Sequence, residues 1–278
     1  MTLHLTYQLN EIEPYINWIY FFHAWGMQRL DNKAKETLRK EAGNMLTQGQ
    51  EKYHTYAAFR LFQANSDNDD LLLDGIRIPM LRQQTPSQKG EPTRCLADYV
   101  RPLSSGIADH AGAFAATVDK AFVDDYCGDD YLKLLAVTLA DRLAEATAEK
   151  LHEDVRKHIW GYAPEELLTP SQLFAEQYQG LRPAVGYPSL PDMSVNFLLS
   201  DLIGMKEIGI QLTENGMMIP HASVSGFMFS HPQATHFSVG AIGEDQLADY
   251  ARRRDIPLHL MRKFLKVQES PVPLVNNE

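Results

Sequence analysis

The chain has 278 residues, which is enough for one large domain or two small ones, and 44% of them are hydrophobic and 22% charged, ordinary values for a globular protein. A net charge of −10 argues against nucleic-acid binding, which needs a clustered basic face. No apolar run approaches the ~18 to 20 residues of a membrane span, and the N-terminus lacks a signal-peptide pattern, so we expect a cytoplasmic protein without membrane or nucleic-acid partners.

The first half of the chain alternates helical and extended patterns. An aromatic-rich element, "PYINWIYFFHAWGM", precedes a polar helix predicted over about Lys33 to Gln48. The segment "YAAFRLFQANSDNDDLLL" predicts strand, turn and strand, with "NSDNDD" as the turn. The next segment, "DGIRIPML", predicts a short edge strand because a proline cannot donate to a sheet ladder. His110, in "ADHAGAF", lies among small residues and is predicted at a tight turn.

The second half contains the longest predicted helix, about Asp130 to Trp160, whose leucines recur at three- and four-residue steps until Gly161 ends it. A short helix is predicted after Thr169 as N-cap and Pro170 at the first helical position. Further predicted elements are a helix over about Val195 to Gly204, a β segment with an "NG" turn, a helix from about Glu244, and a poorly ordered tail over about 268–278. No strand–helix–strand repeat appears, which favours an α+β fold, and no linker divides the chain, so we expect a single domain over 1–278.

Motifs of known enzyme classes are missing. There is no Gly-x-Gly-x-x-Gly pattern and no phosphate-binding loop. In "HEDVRKH", His152 and His158 are six positions apart and should face different directions, so they do not predict a metal pair. Ser225, in "ASVSGF", is predicted to be a strand residue and not a nucleophile. Cys95 and Cys127 form neither a disulfide framework nor a Cys-x-x-Cys pair. We predict no metal site and no catalytic residue.

Two charged clusters are interpreted as solvated surface. Asp141, Glu145 and Glu149 share one face of the long helix, where paired carboxylates could serve acid–base chemistry, but basic neighbours favour a solvated face. The basic run Arg252 to Arg254 has roughly helical spacing with later basic residues and receives the same interpretation.

The segment "LRPAVGYPSLPD", residues 181–192 and called the ribbon below, is the most unusual feature of the sequence. Its three prolines hold the backbone extended and are expected to leave its carbonyls unpaired. One hypothesis is a stiff linker. The other is the binding site of a small ligand with a carboxylate, paired with Arg182, and a flat heterocycle, read by the backbone from Ala184 to Gly186. The residues alone do not choose between them.

A family resemblance adds to this. "RPAVGYP" resembles the Arg-Pro-x-x-Gly-Tyr-Pro signature of the activation (reactivation) domain of cobalamin-dependent methionine synthase. "CLADYVRP", "DHAGAFAATV", "DRLAEATAEKLHEDVRKHIWGYAPEE", "ASVSGFMFSHPQ" and "DQLADYARR" resemble the same domain in the same order, from about Pro14 to Arg254. The resemblance implies a C-shaped α+β domain with a twisted antiparallel sheet, long flanking helices and a shallow groove for S-adenosylmethionine. It also implies docking over a corrin, where an electron from a flavodoxin-like reductase and a methyl group from S-adenosylmethionine restore methylcobalamin.

By this resemblance, Arg182 holds the methionine carboxylate, and the backbone at Ala184 and Gly186 meets the adenosine portion. Tyr187 lies near both the ligand and the corrin. On the long helix, Glu145 matches a carboxylate on the ligand side, and Asp141 matches one that faces the cobalamin module.

Three positions depart from the family pattern. Asn17 replaces an aspartate expected to bind the ligand's amino group; the amide oxygen can still accept a hydrogen bond, but the charge is lost. His236 replaces a tyrosine, although the following residue, Phe237, keeps a ring available for stacking. His221 stands where a glycine is usual. These departures predict weaker S-adenosylmethionine binding, or a family branch adapted to something else.

The leading functional hypothesis is an S-adenosylmethionine-binding reactivation subunit. No Asp-x-His-x-x-Gly cobalamin motif and no Cys-rich zinc site are present, so we expect cobalamin only through a separate methionine synthase or other corrinoid protein. The chain would then be an accessory component that does not make methionine alone, with a flavodoxin-like reductase as a further partner. The alternatives are a ligand-independent interaction module, and a reactivator or sensor for another corrinoid methyltransferase.

Overall fold

A computed structural model of the chain describes residues 1–27, 32–86 and 89–267. The predicted poorly ordered tail, 268–278, lies outside the described residues. The strands are β1 (Leu3–Gln8), β2 (His54–Asp67), β3 (Asp70–Leu73), β4 (Ile76–Pro79), β5 (Asp109–Val118), β6 (Gln211–Leu212), β7 (Met218–Ile219) and β8 (Ser223–Met228). The helices are α1 (Leu9–Ile12), α2 (Trp18–Ala24), α3 (Asn32–Gly49), α4 (Ala121–Asp124), α5 (Asp130–Asp154), α6 (Pro170–Phe174), α7 (Val195–Ile203), α8 (Glu244–Arg253) and α9 (Leu258–Leu265).

The main sheet is antiparallel and has the order β4-β3-β2-β5-β8. Strand β2 has 14 residues and is long enough to pair with β1 through its first half and with β3 through its last residues, while β5 lies along its other edge. β4 lies at the edge of the sheet, as its proline predicts. The turn between β2 and β3 is shorter than "NSDNDD": only Asn68 and Asp69 lie outside the strands, and Asn68 adopts a positive φ of 54°.

Strand β5 corrects the interpretation of "ADHAGAF" as a tight turn. His110 lies in β5, opposite Gln63 of β2. From position 111 to 118 the strand is buried on both faces, so it shows no alternation of polar and apolar residues. Its small residues are needed for close packing, because a Cβ on Gly112 would lie 2.5 Å from the ring of Phe59.

Alternation along the sheet builds two hydrophobic clusters. In β2, Ala58 belongs to one cluster and its neighbours Ala57 and Phe59 to the other. The first cluster also contains apolar residues of α7, α8 and α9, and the second contains those of α3 and α5. The sheet therefore has helices packed on both faces, and α5 runs along the face that carries Phe114.

Helix boundaries follow the local signals of the sequence. Helix α5 begins after Asp129, whose carboxylate accepts a hydrogen bond from the Leu132 N–H at 2.9 Å. It continues into a π-helical turn, Val155–Ile159, and ends at Gly161, which has a φ of +76°. The predicted hairpin at "NG" joins β6 to β7. No helix within the described ranges is long and apolar enough to cross a membrane.

The basic run at the end of α8 is only partly solvated, so that interpretation was wrong for two of its three members. Arg252 is exposed. Arg253 is mostly buried and binds Asp70, and Arg254, with only 4% of its side chain exposed, donates to the Ser194 hydroxyl at 2.8 Å. These two arginines fasten α8 to the rest of the molecule, because buried charges persist only when paired.

Candidate functional site

A groove of about 720 Å³ runs between α5, the ribbon and the segment 236–238. Its volume is in the range of small-molecule sites. The lining combines aromatic and aliphatic side chains with five arginine and glutamate side chains, which lie on α5, on the ribbon and next to α6. The lining residues are Tyr15, Asn17, Tyr20, Arg142, Glu145, Ala146, Glu149, Leu173, Phe174, Glu176, Arg182, Ala184, Tyr187, Pro188, Ser189, His236, Phe237 and Ser238.

The ribbon runs beside β8 as an additional antiparallel segment. Leu181 and Phe229 exchange two backbone hydrogen bonds, of 2.8 and 2.9 Å, and the Pro183 carbonyl accepts from the Phe227 N–H at 3.1 Å. The expectation of unpaired carbonyls is therefore wrong for these residues. Proline removes a donor but leaves an acceptor, so a proline-rich segment can still pair along one side.

The backbone N–H and C=O of Ala184 do not bond to β8. Pro183 and Val185 both bond to β8, so Ala184, which lies opposite Gly226 in a narrow antiparallel bridge, directs its N–H and C=O away from the strand. Its carbonyl accepts from the Tyr187 N–H at 3.3 Å. Its N–H has no hydrogen-bond acceptor among the described residues and faces the groove. The ribbon thus offers the Ala184 N–H as a backbone donor to a ligand.

The close approach of the ribbon to β8 depends on Gly226. A Cβ at this position would lie 2.0 Å from the Pro183 carbonyl oxygen, and neither atom can move away unless the backbone that carries it shifts. We expect Gly226→Ala to lower the free energy of unfolding by about 2 kcal/mol or more, measured by urea denaturation. Gly128→Ala is the matched control, because a Cβ at that position would have no neighbouring atom within 4 Å. Equal stability of the two variants would contradict the packing described here.

Arg182 and Glu149 form an ion pair in the wall of the groove. The Nη2 of Arg182 donates to Oε2 of Glu149 at 3.2 Å, and each side chain is only 12% exposed. The guanidinium carbon of Arg182 lies 5.7 Å from the ring centroid of Phe114. Burial raises the pKa of Glu149, while Arg182 and Arg156 oppose that rise. The interpretation of this face of α5 as solvated surface is therefore wrong for Glu149.

Glu145 and Tyr187 close the groove nearer to solvent. The Tyr187 hydroxyl donates to Oε1 of Glu145 at 2.8 Å. The charge of Glu145, together with partial burial, raises the pKa of Tyr187 to about 12, so this hydroxyl stays protonated at neutral pH. Tyr187 as a residue is 52% exposed, which leaves it accessible both to a ligand and to a docked protein.

Helix α5 supplies one wall of the groove because of its periodicity. Arg142, Glu145, Ala146 and Glu149 follow each other at i, i+3, i+4 and i+7, so they share one face of the helix, and all four line the groove. The small side chain of Ala146 leaves space in the groove between the charged side chains. This face of α5 is polar because it borders a groove. A groove-lining face and a solvated face show the same polar spacing in the sequence, so the spacing alone did not distinguish them.

Asn17 lies in the lining and also caps helix α2. Its Oδ1 accepts a hydrogen bond from the Ile19 N–H at 3.1 Å. The amide oxygen is therefore already engaged, and the Nδ2 donor is the free end of the side chain. An aspartate here could cap the helix with one oxygen and offer the other to a cation.

His236 and Phe237 both line the groove from the opposite side. Nε2 of His236 lies 3.5 Å from Oε1 of Glu176, another lining residue. Phe237 is largely buried, and its ring packs against Tyr99 with a centroid distance of 6.5 Å. One edge of an aromatic ring is thus held rigidly at the groove wall.

Two residues predicted for the site are not in the lining. Gly186 forms a turn, with a φ of +87°, and its N–H donates to the Leu190 carbonyl at 2.8 Å, so that N–H is not available to a ligand. Asp141 lies one turn before Glu145, outside the groove, and its Oδ1 is 3.4 Å from Nδ1 of the exposed His221.

Several lining residues were missed by sequence reasoning. They come from segments that meet only in the folded chain; examples are Tyr15 before α2, Tyr20 in α2, and Leu173 and Phe174 in α6. The one signal in the sequence was the spacing of Arg142 and Glu149 relative to Glu145 on α5.

The residues that resembled parts of enzyme motifs have structural roles. His152 is fully buried, and its Nε2 lies 3.3 Å from the Tyr162 hydroxyl, whereas His158 is exposed, so the two do face different directions. Ser225 lies in β8, as predicted, and donates to Oδ1 of Asn196.

Comparison with known proteins identifies the family. Residues 8–255 match the family model described as "Vitamin B12 dependent methionine synthase, activation domain". The chain belongs to this family. This activation domain is also similar to a solved structure described as "Crystal Structure of the MetH Reactivation Domain bound to AdoHcy", with 36% sequence identity and a TM-score of 0.90. The match covers 96% of this chain and 89% of the solved one.

The family assignment confirms the resemblance and the fold class. The activation domain has a curled antiparallel sheet flanked by long helices, as the resemblance implied. The solved relative contains AdoHcy, the demethylated product of S-adenosylmethionine.

Proposed function

We propose that this chain binds S-adenosylmethionine in the groove and supports reductive methylation of cobalamin held by a methionine synthase. The observation that carries the proposal is the buried Arg182, held by one nitrogen and facing the groove. The family assignment and the AdoHcy-bound relative support the choice of ligand.

The charges of the groove fit the amino-acid portion of this ligand. Arg182 makes no hydrogen bond through Nη1 to any residue that the structure describes, so a ligand carboxylate can pair there. S-adenosylmethionine also carries an ammonium and a sulfonium. Glu145, Glu149 and Glu176 outnumber Arg142 and Arg182 in the lining, which leaves the groove net acidic and suited to a cationic ligand.

The adenosine portion has its own partners in the proposal. The free N–H of Ala184 can donate to a ring nitrogen or a ribose oxygen. The rings of Tyr187 and Phe237, and Leu173, supply apolar surface for the base. Gly186 would contribute by turning the backbone and not by donating its N–H.

The reaction requires a corrinoid carried outside the residues described here. When bound, S-adenosylmethionine supplies the methyl group that reduced cobalamin accepts after one electron from a flavodoxin-like reductase. Tyr187 lies at the exposed side of the groove, and Asp141 lies outside the groove one turn earlier on α5; both are proposed to face the corrinoid protein. Glu145 keeps Tyr187 oriented through their hydrogen bond.

The test is a reactivation assay. Purified chain, a cob(II)alamin-loaded methionine synthase module without its own activation domain, a chemical reductant and methyl-labelled S-adenosylmethionine are combined. We expect labelled methylcobalamin to form only when the chain is present. Label transfer at the same rate with and without the chain would contradict the proposal.

One observation favours a second candidate, a ligand-independent interaction module. Asn17 carries no charge and uses its oxygen to cap α2, so the groove lacks the expected contact for the ligand's amino group. This candidate predicts a corrinoid-protein complex whose affinity is the same with and without S-adenosylmethionine.

A further inference from the structure

The ion pair of Arg182 and Glu149 contains only one of the two hydrogen bonds that an arginine and a carboxylate can form. An arginine–carboxylate pair is strongest when two parallel N–H···O bonds form. Here a single bond joins Nη2 to Oε2, while Nε of Arg182 and Oε1 of Glu149 are buried and make no hydrogen bond to any described residue. Glu149 therefore holds the guanidinium from one corner, and Nη1 is left toward the groove.

The surroundings show what Arg182 would do without this contact. A buried guanidinium that loses its counter-ion is strongly destabilised and moves toward another anion or solvent. Glu145 is the next carboxylate along α5 and interacts electrostatically with Arg182. It lies on the more exposed side of the groove, bonded to Tyr187. Reorientation of Arg182 toward Glu145 would remove its Nη1 from the end of the groove.

We infer that Glu149 is a positioning residue, which fixes the guanidinium of Arg182 so that Nη1 receives the carboxylate of an adenosyl amino acid. This inference rests on the proposed function, because it concerns the same groove. Glu149 touches Arg182 and not the carboxylate that Arg182 binds, so its effect should depend on whether the ligand has that carboxylate.

A two-ligand titration tests the inference. AdoHcy carries the amino-acid carboxylate, and its decarboxylated analogue, S-adenosyl-3-thiopropylamine, keeps the adenosine, the sulfur and the ammonium without it. We expect Glu149→Leu to lower the affinity for AdoHcy at least about tenfold. Glu149→Gln keeps an oxygen acceptor for Nη2 and should lower it only about threefold. The affinity for the decarboxylated analogue should change less than about twofold in either variant.

Glu166→Gln is the matched control. Glu166 forms a buried pair with Arg156, but neither residue lines the groove. This variant should lose stability, measured by urea denaturation, while the ratio of the two ligand affinities stays at the wild-type value. If weakening any buried ion pair affected binding, the ratio of the two ligand affinities would change in the Glu149 variants and in the Glu166 variant alike.

The outcomes separate the two proposals. AdoHcy binding to a folded Glu149 variant as tightly as to the wild type, or more tightly, would make Glu149 a competing anion and overturn the inference while the proposed function stands. Equal losses for both ligands would also overturn it. A folded wild-type protein that binds neither ligand would overturn the proposed function, and the inference with it.

Discussion

Arg182→Ala is expected to lower the affinity for S-adenosylmethionine by about a hundredfold or more, the largest effect of any single substitution in the groove. Arg182 faces the groove from a site that is only 12% exposed, where a charged hydrogen bond is worth ~1.5 to 3 kcal/mol and an unpaired ligand carboxylate would also be desolvated. Calorimetric titration of the wild type and the variant measures the change.

Two controls accompany this substitution. Arg182→Lys keeps the charge but loses the planar fork, so its affinity should lie between those of the wild type and the alanine variant. Arg253→Met removes an arginine that is mostly buried against Asp70 and absent from the groove lining, so it should alter stability without altering affinity. Wild-type affinity in a folded Arg182→Ala protein would show that the ligand carboxylate binds elsewhere.

Asn17→Asp is expected to strengthen S-adenosylmethionine binding by roughly five- to tenfold, or about 1 kcal/mol. An aspartate can accept the Ile19 N–H with one oxygen and present the other, with its charge, to the ligand's ammonium. Helix α2 should not be weakened, because aspartate is an equally good N-cap and its charge is favourable at a helix N-terminus. Titration of both proteins with S-adenosylmethionine provides the measurement.

The control ligand for Asn17→Asp is 5′-methylthioadenosine, which has no ammonium and should bind the two proteins equally. Asn17→Ser keeps a capping oxygen without a charge and should bind S-adenosylmethionine no more tightly than the wild type. No gain in the aspartate variant would mean that the ammonium does not approach position 17. A gain from undetectable to measurable binding would favour the interaction-module hypothesis for the natural sequence.

Local signals predicted much of the fold. The regular leucine spacing of α5 and the stop at Gly161 defined the longest helix, and a proline marked the edge strand β4. Each of these features depends on residues that are neighbours in sequence. Strand β5 was missed for the opposite reason, because burial on both faces removes the alternation that marks a strand.

The candidate site was less predictable, because its character depends on distant contacts. The carbonyls of Leu181 and Pro183 are paired with backbone more than 40 residues later, and nothing within residues 181–192 indicates that partner. Glu149 looked like a surface carboxylate because its burial comes from the ribbon and not from α5. The resemblance supplied Arg182, Glu145 and Tyr187, and these three do lie along one groove. Their roles toward a ligand remain predictions.

The most direct measurement of the central claim is a calorimetric titration of the folded wild-type chain with S-adenosylmethionine, with circular dichroism as the check of folding. We predict a saturable heat with one ligand per chain, abolished by Arg182→Ala. No detectable heat at millimolar ligand, in a protein that circular dichroism shows to be folded, would contradict the claim that this groove binds S-adenosylmethionine.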